Sequence, residues 1–356
     1  MTPARLVHDA ERLNTGVWPL PDGERLTPVE RFFTRSHAAV PRIDAGTWRL
    51  DVGGLVERPA QLGLAELLRA LPRRELDATL VCAGMRRAEF LPLGELPGEL
   101  PWGPEPASTG TWAGVALRDL LTLVGVHPQA RHVEFVGLDS VERGGARFGF
   151  GGSIDLDKAM AGEVLLATEL NGAALPPEHG FPLRTVVPGW IGARSVKWLG
   201  RITLGAEEST NYFQSKAYRH QRRPTPGDPR DVSAGPALTS VAVNSVIVSP
   251  ADRTTVRAGP TRIRGWAIGE GGHPLVSVEV TANGQDGWIP ATLLPGSSRW
   301  TWTLWEAEVE LTPGVHDVVV RAADRAGHTQ PASVEETWNV KGYANNAWHR
   351  IRIQAE

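Results

Sequence analysis

Thr79-Leu80-Val81-Cys82-Ala83-Gly84-Met85-Arg86-Arg87 contains the one cysteine of the chain. The apolar run before the thiol reads as a buried strand, and the small residues after it read as a turn. A strand end holds the sulfur rigidly, and Ala83 and Gly84 leave room for a bulky group to approach. The two guanidinium groups favour thiolate over thiol. Such a thiolate is a soft metal ligand or a nucleophile. The alternative is a small buried hydrophobe, as free cysteine often is.

The chain of 356 residues is long enough for two domains, each with its own core. A net charge of -3 gives no general attraction to nucleic acid or anionic membrane. A single cysteine excludes an internal disulfide framework. The stretch Met1–Asp9 has no apolar core of a signal peptide and no twin arginine, and no run approaches the ~20 apolar residues of a membrane span. The expected location is cytoplasmic, or periplasmic had a signal been removed. Thirteen tryptophans against three tyrosines make phenolic hydroxyls scarce.

The strongest boundary is Arg223-Pro224-Thr225-Pro226-Gly227-Asp228-Pro229-Arg230-Asp231, too rich in proline and charge for a regular element. Before it, Leu64, Leu67, Leu68 and Leu71 recur at helical spacing up to Pro72. Leu117, Leu120, Leu121 and Val124 do the same up to Gly125. Residues 133–138 and 185–187 read as strands, giving a mixed α+β domain with long irregular connections. After it the pattern is nearly all β: Val276, Val278 and Val280 alternate with polar residues, and Asn283-Gly284 signals a hairpin turn. Trp300, Trp302 and Leu304 alternate with threonines, and a further run holds Val318, Val319 and Val320. Strands at this spacing predict an immunoglobulin-like sandwich.

Two more segments carry chemistry. In Phe32-Phe33-Thr34-Arg35-Ser36-His37, Arg35 and His37 share one side of an extended chain and suit an oxyanion or phosphate; the alternative is a solvated loop. Glu178-His179-Gly180-Phe181-Pro182-Leu183-Arg184, with Gly189-Trp190-Ile191-Gly192-Ala193-Arg194-Ser195-Val196-Lys197-Trp198-Leu199, groups His179, Arg184, Arg194 and Lys197 beside glycines. Such a stretch binds an anionic cofactor or is a basic turn; it lacks the ending of a P-loop. No HExxH, CxxC or paired-carboxylate spacing supports a zinc hydrolase or glycosidase.

Taken in order, Arg35-Ser36-His37, the Cys82–Arg87 string, Leu170-Asn171-Gly172, His179–Arg184, Gly192–Leu199 and Trp338-Asn339-Val340 with Asn345-Asn346-Ala347-Trp348-His349 resemble the sulfite oxidase family of molybdenum enzymes. The resemblance implies a molybdopterin-binding catalytic domain over residues 1–225. An immunoglobulin-like dimerisation domain over residues 236–356 follows it, giving a homodimer. It implies an oxidoreductase that carries molybdenum on molybdopterin, with Cys82 as the protein ligand of the metal, and that transfers oxygen atoms. Phe33, Arg35, Ser36, His37, Asp139, His179, Arg184, Arg194, Ser195 and Lys197 match cofactor-binding positions. Arg35 also reaches the substrate pocket, and Arg87 and Trp102 match pocket-lining residues. No haem-attachment motif is present, so electrons pass to a separate acceptor.

Three positions depart from the pattern that the resemblance implies. Phe150, before Gly151-Gly152-Ser153-Ile154, stands where a catalytic tyrosine is expected, and Tyr212, Tyr218 and Tyr343 are remote in sequence. Ser277 stands for a substrate-binding arginine, and Met85 for an asparagine. Together they predict a pocket less cationic and less polar than one built for sulfite, and a small oxyanion or organic sulfur or nitrogen compound as substrate. The alternatives are a sulfoxide- or nitrate-type reductase, and a non-catalytic cofactor-binding relative.

Overall fold

The computed structural model describes residues 4–9, 14–18, 24–220, 235–283, 287–296 and 298–356. The linker at 223–231 and Gly284 of the expected hairpin turn lie outside them.

Three five-stranded sheets and one four-stranded sheet carry most of the described residues. The first, in spatial order, is Gly151–Asp155, His132–Gly137, Leu199–Gly205, Arg49–Gly54 and Ala60–Gly63. Against it pack the helices Leu64–Ala70, Leu117–Val124 and Leu156–Met160. The predicted leucine faces agree with this: Leu67, Leu117, Leu120, Leu121 and Val124 are buried, and Gly125 closes its helix at φ 73°. Leu68 is exposed. The apolar stripe of so short a helix needs only one buried leucine to seat it.

A second sheet orders Ala173–Ala174, Leu165–Leu170, Ala107–Ala116 and Arg73–Val81, and Arg184–Val186 pairs with Leu165–Leu170. Arg73–Val81 is the edge strand, and it becomes progressively more buried toward Cys82. Unpaired strand edges invite stray pairing unless covered. Here residues of the second unit cover it. Thr79 N donates to Trp300 O (2.9 Å), and Trp302 N donates to Thr79 Oγ1 (2.8 Å).

That contact corrects the strand expected over Trp300 and Trp302. Trp300 and Trp302 are not strand residues; the strand begins at Thr303 and runs to Leu311. Nor do they belong to the sandwich core. Trp302 packs on Trp266 (5.6 Å between centroids) in a cluster with Val81, Met85 and Ile191. Trp300 lies with Phe32, Trp112 and Cys82. Trp305 does fill the sandwich.

The sandwich itself sets Asn244–Ser249, Gly259–Ile268, Thr303–Leu311 and Thr292–Leu293 against Thr255–Val256, His349–Ala355, Gly314–Asp324, Leu275–Ala282 and Ile289–Pro290. Its core is Val278, Val280, Trp305, Val318, Val320, Ile351 and neighbours. Val276, expected on the inner face, is exposed at the strand's start.

Candidate functional site

A single deep cleft, enclosing about 710 Å³ with its open mouth included, gathers most of the residues singled out from the sequence. Phe33, Arg35, Ser36, His37, Cys82, Asp139, Phe150, His179, Arg184, Ser195 and Lys197 all line it. Cys82 follows its strand directly and is 7% exposed, its backbone N–H bonded to Pro106 O at 2.9 Å. The thiol therefore faces the cleft from a fixed backbone.

The cationic wall comes from two turns pressed together. Lys197 Nζ donates to Ser36 Oγ (2.8 Å) and Glu178 O (2.9 Å), and lies over the Trp198 ring. Burial, reinforced by the neighbouring Arg184, pushes its pKa down to about 7. Arg184 spends Nη1 on His179 O (2.9 Å) and Nη2 on Ser195 O (3.0 Å), and burial lowers it to about 9. Gly180 makes this packing possible. Its φ is +107°, and a Cβ there would sit 3.1 Å from both Arg184 and Lys197. Asp139 accepts from Phe150 N (2.9 Å), and burial raises its pKa.

At the other end, the ring of His37 lies parallel to Phe150, with 5.2 Å between centroids and 8° between planes. Its Nε2 is 2.9 Å from the Tyr218 hydroxyl, and its Nδ1 is 3.4 Å from Arg35 Nη2. Tyr218 is the functional residue that sequence reading missed. It follows the turn Phe213–Ala217, far along the chain from Phe150, yet lines the same cleft. The scarcity of tyrosine was the available signal: a chain with three phenols has few residues able to place a hydroxyl there.

Five positions singled out from the sequence are not on the cleft wall. Arg87 and Trp102 do not line it. Arg86 takes a left-handed conformation (φ 61°), which turns the next side chain toward the second unit. There Arg87 donates Nε to Lys341 O (2.9 Å) and Nη1 to Leu100 O (3.0 Å). The space expected above Gly84 is filled by that guanidinium, 2.6 Å from where a Cβ would stand. Trp102 is wholly buried in the cluster behind Cys82 and Phe33. Arg194 is buried beside Gly152; Nη2 donates to Leu238 O (3.1 Å), and Nε and Nη1 have no hydrogen-bond partner among the described residues. Ser277 sits on the strand Leu275–Ala282, paired with Ala323 in the sandwich. Met85 faces the seam between the units rather than the cleft.

The arginines after Cys82 are also neutralised. Arg86 forms a two-pronged pair with Glu89 (Nε–Oε1 2.7 Å, Nη2–Oε2 2.8 Å) and donates Nη1 to Asn244 Oδ1 (2.9 Å) and Ala347 O (2.8 Å). Asn345 Nδ2 returns a bond to Arg86 O (3.0 Å). The two matching strings, Cys82–Arg87 and Asn345–Ala347, are thus one physical clasp.

The donor set suits a phosphorylated, sulfur-bearing metal cofactor. A soft thiol stands at one wall, and buried cations whose donors are only partly spent stand at the other.

The comparisons agree with this. Residues 37–213 match the oxidoreductase molybdopterin binding domain, and residues 236–356 match the Mo-co oxidoreductase dimerisation domain. The sulfite oxidase of Gallus gallus is 39% identical over 335 residues, covering 91% of this chain and 72% of that protein. The chain belongs to the sulfite oxidase family.

Other members of the family include the sulfite oxidase of Arabidopsis thaliana, 36% identical, covering 92% of this chain and 88% of that protein. Nitrate reductase [NADH] 1 of Oryza sativa subsp. japonica is also 36% identical, but this chain spans 38% of it. Among solved structures, the sulfane dehydrogenase SoxCD of Paracoccus pantotrophus shares the fold, with a TM-score of 0.82 at 24% identity over 100% of this chain and 90% of that one. As a family member the protein is a molybdopterin-dependent oxidoreductase, and its cofactor is molybdenum on molybdopterin.

Proposed function

We propose that this protein transfers an oxygen atom to or from a small sulfur or nitrogen compound at molybdenum bound by the thiolate of Cys82. The observation that carries the reading is the convergence of that lone thiol with Arg35, His37 and Tyr218 on one cleft whose far wall is cationic. The bound cofactor supplies the two-electron oxygen-transfer chemistry and its reoxidation. The chain supplies the rest. Ser195, Lys197, Arg184 and His179 bind and orient an anionic pterin, and Cys82 fixes the metal end. Asp139 holds Phe150 N, so the aromatic wall is anchored to the cofactor wall.

Tyr218 remains a neutral phenol: burial pushes its pKa up to about 12. Arg35 Nη2 can only donate, so His37 Nδ1 accepts and Nε2 carries the hydrogen that points at Tyr218. The phenolic oxygen is then an acceptor toward His37, and its own O–H is free to donate to an oxygen in the cleft. Phe150 adds an apolar face beside it. This end of the cleft favours a substrate of low charge over a dianion.

Metal analysis tests the first half of the proposal: about one molybdenum per chain is expected, lost in Cys82→Ser. A redox-dye assay run in both directions tests the second. Slow turnover of sulfite beside faster turnover of neutral sulfoxides or N-oxides is expected. Sulfite oxidation at ordinary enzyme rates would refute the substrate preference and leave the metal chemistry standing. The kinship with nitrate reductases favours reduction as the second reading. The C-terminal family match supports a homodimer, read out by light scattering, with electrons leaving to a separate acceptor.

A further inference from the structure

Behind Tyr218 lies a second layer of charge that the cleft itself does not display. The Tyr218 ring packs on Tyr343 at 4.9 Å, and the Arg87 guanidinium stands 4.9 Å over the Tyr343 ring. Two residues before Tyr343, Lys341 brings a second cation. Ala344 N donates to Ala83 O (2.8 Å), holding this segment against the residue that follows Cys82. Between the two cations sits one carboxylate. Glu99 Oε2 is 3.4 Å from Arg87 Nη2, and Glu99 Oε1 is 3.2 Å from Lys341 Nζ. The Glu99 side chain is 12% exposed and Arg87 is 3% exposed, so water screens this group weakly.

We infer that Glu99 is a specificity-determining residue: its carboxylate cancels one of the two cations behind Tyr218 and so biases the cleft against dianionic substrates. The inference rests on the cleft being the substrate site proposed above. Glu99 touches neither the cleft nor the thiol, so it acts only through its field. A field acts in proportion to the charge it meets. Removing the carboxylate therefore changes affinity on a scale set by ligand charge, whereas a shape change would not follow that order.

The test uses the cofactor-loaded protein and Glu99→Gln, which keeps the side chain's size. Equilibrium binding of sulfate, nitrate and dimethyl sulfoxide is measured at pH 8.5 and low salt by calorimetry, with kcat and KM for sulfite alongside. Sulfate is expected to bind at least about tenfold tighter in Glu99→Gln, nitrate by about the square root of that factor, and dimethyl sulfoxide unchanged. KM for sulfite falls while kcat holds, and 0.5 M salt shrinks the effect. Glu99→Asp restores the original order. Lys341→Met removes a cation instead, and shifts sulfate and nitrate in the opposite direction; should Glu99→Gln fail to fold, this variant decides. Equal shifts for all three ligands, or none, overturn the inference. A loaded protein that binds no probe and turns over no substrate overturns the proposed function itself.

Discussion

The hydroxyl of Tyr218 lies 2.9 Å from Nε2 of His37, although 181 residues separate them. Because Arg35 can only donate to Nδ1, the imidazole is held as a donor toward the phenol. The phenol is thereby aimed, not merely present.

Tyr218→Phe removes the donor and is expected to lower kcat/KM roughly a hundredfold, the usual scale for losing one well-placed donor to a developing charge. His37→Ala should cost less, and nothing further in the Tyr218→Phe background. A double-mutant cycle of steady-state rates checks this, because coupled residues deviate from additivity.

Phe150 supports the same pair by stacking on His37. Phe150→Tyr adds a hydroxyl to a well-packed ring cluster that includes Phe213 at 4.5 Å. The expected result is a higher kcat/KM for sulfite with little loss of stability. Kinetics and a melting curve on the same preparation read both.

The titration of Lys197 has a definite sign. Its pKa falls from 10.5 to about 7 in the folded protein, chiefly through burial and then the charge of Arg184. Between those values the unfolded chain holds more protons than the folded one, so the cofactor-free protein gains stability as pH rises from 7 toward 10. An anionic cofactor recharges the lysine on binding. Binding at pH 8 should therefore take up a proton and weaken as pH rises, in a way that Lys197→Arg abolishes. Calorimetry in buffers of different ionisation enthalpy measures the uptake.

Gly84 is fixed by its neighbour. A Cβ there would stand 2.6–2.8 Å from the Arg87 guanidinium, which three carbonyl groups hold in place. Gly84→Ala is expected to cost about 1–3 kcal/mol by overpacking. Thermal denaturation checks the cost, and molybdenum content shows whether the displaced arginine disturbs Cys82.

Local patterns carried much of the fold in the sequence. The leucine spacing of Leu117–Val124 and the alternation in Leu275–Ala282 report which face is buried, so they could be read directly. Trp300 and Trp302 could not, because alternation alone does not say whether a tryptophan faces its own sandwich or another unit's strand edge. At the cleft, residues within a motif were legible, including Arg35 with His37 and Gly180 with Arg184 and Lys197. Tyr218, Glu99 and Lys341 were not, since their roles arise from packing between segments far apart in the chain. Arg87 misled for the complementary reason. Adjacency to Cys82 suggested a shared field, but the left-handed Arg86 sends the two side chains apart.

The clasp of Arg86 to Asn345 and Ala347 has a consequence for biogenesis. Emerging domains fold in order from the N-terminus, yet here the turn after the thiol takes part of its support, the bonds of Arg86 with Asn244, Asn345 and Ala347, from residues made much later. Until Ala347 has left the ribosome, the loop bearing Cys82 has its local bonds to Glu89, Gly103 and Pro106 but not this clasp, which closes only after translation has passed that point.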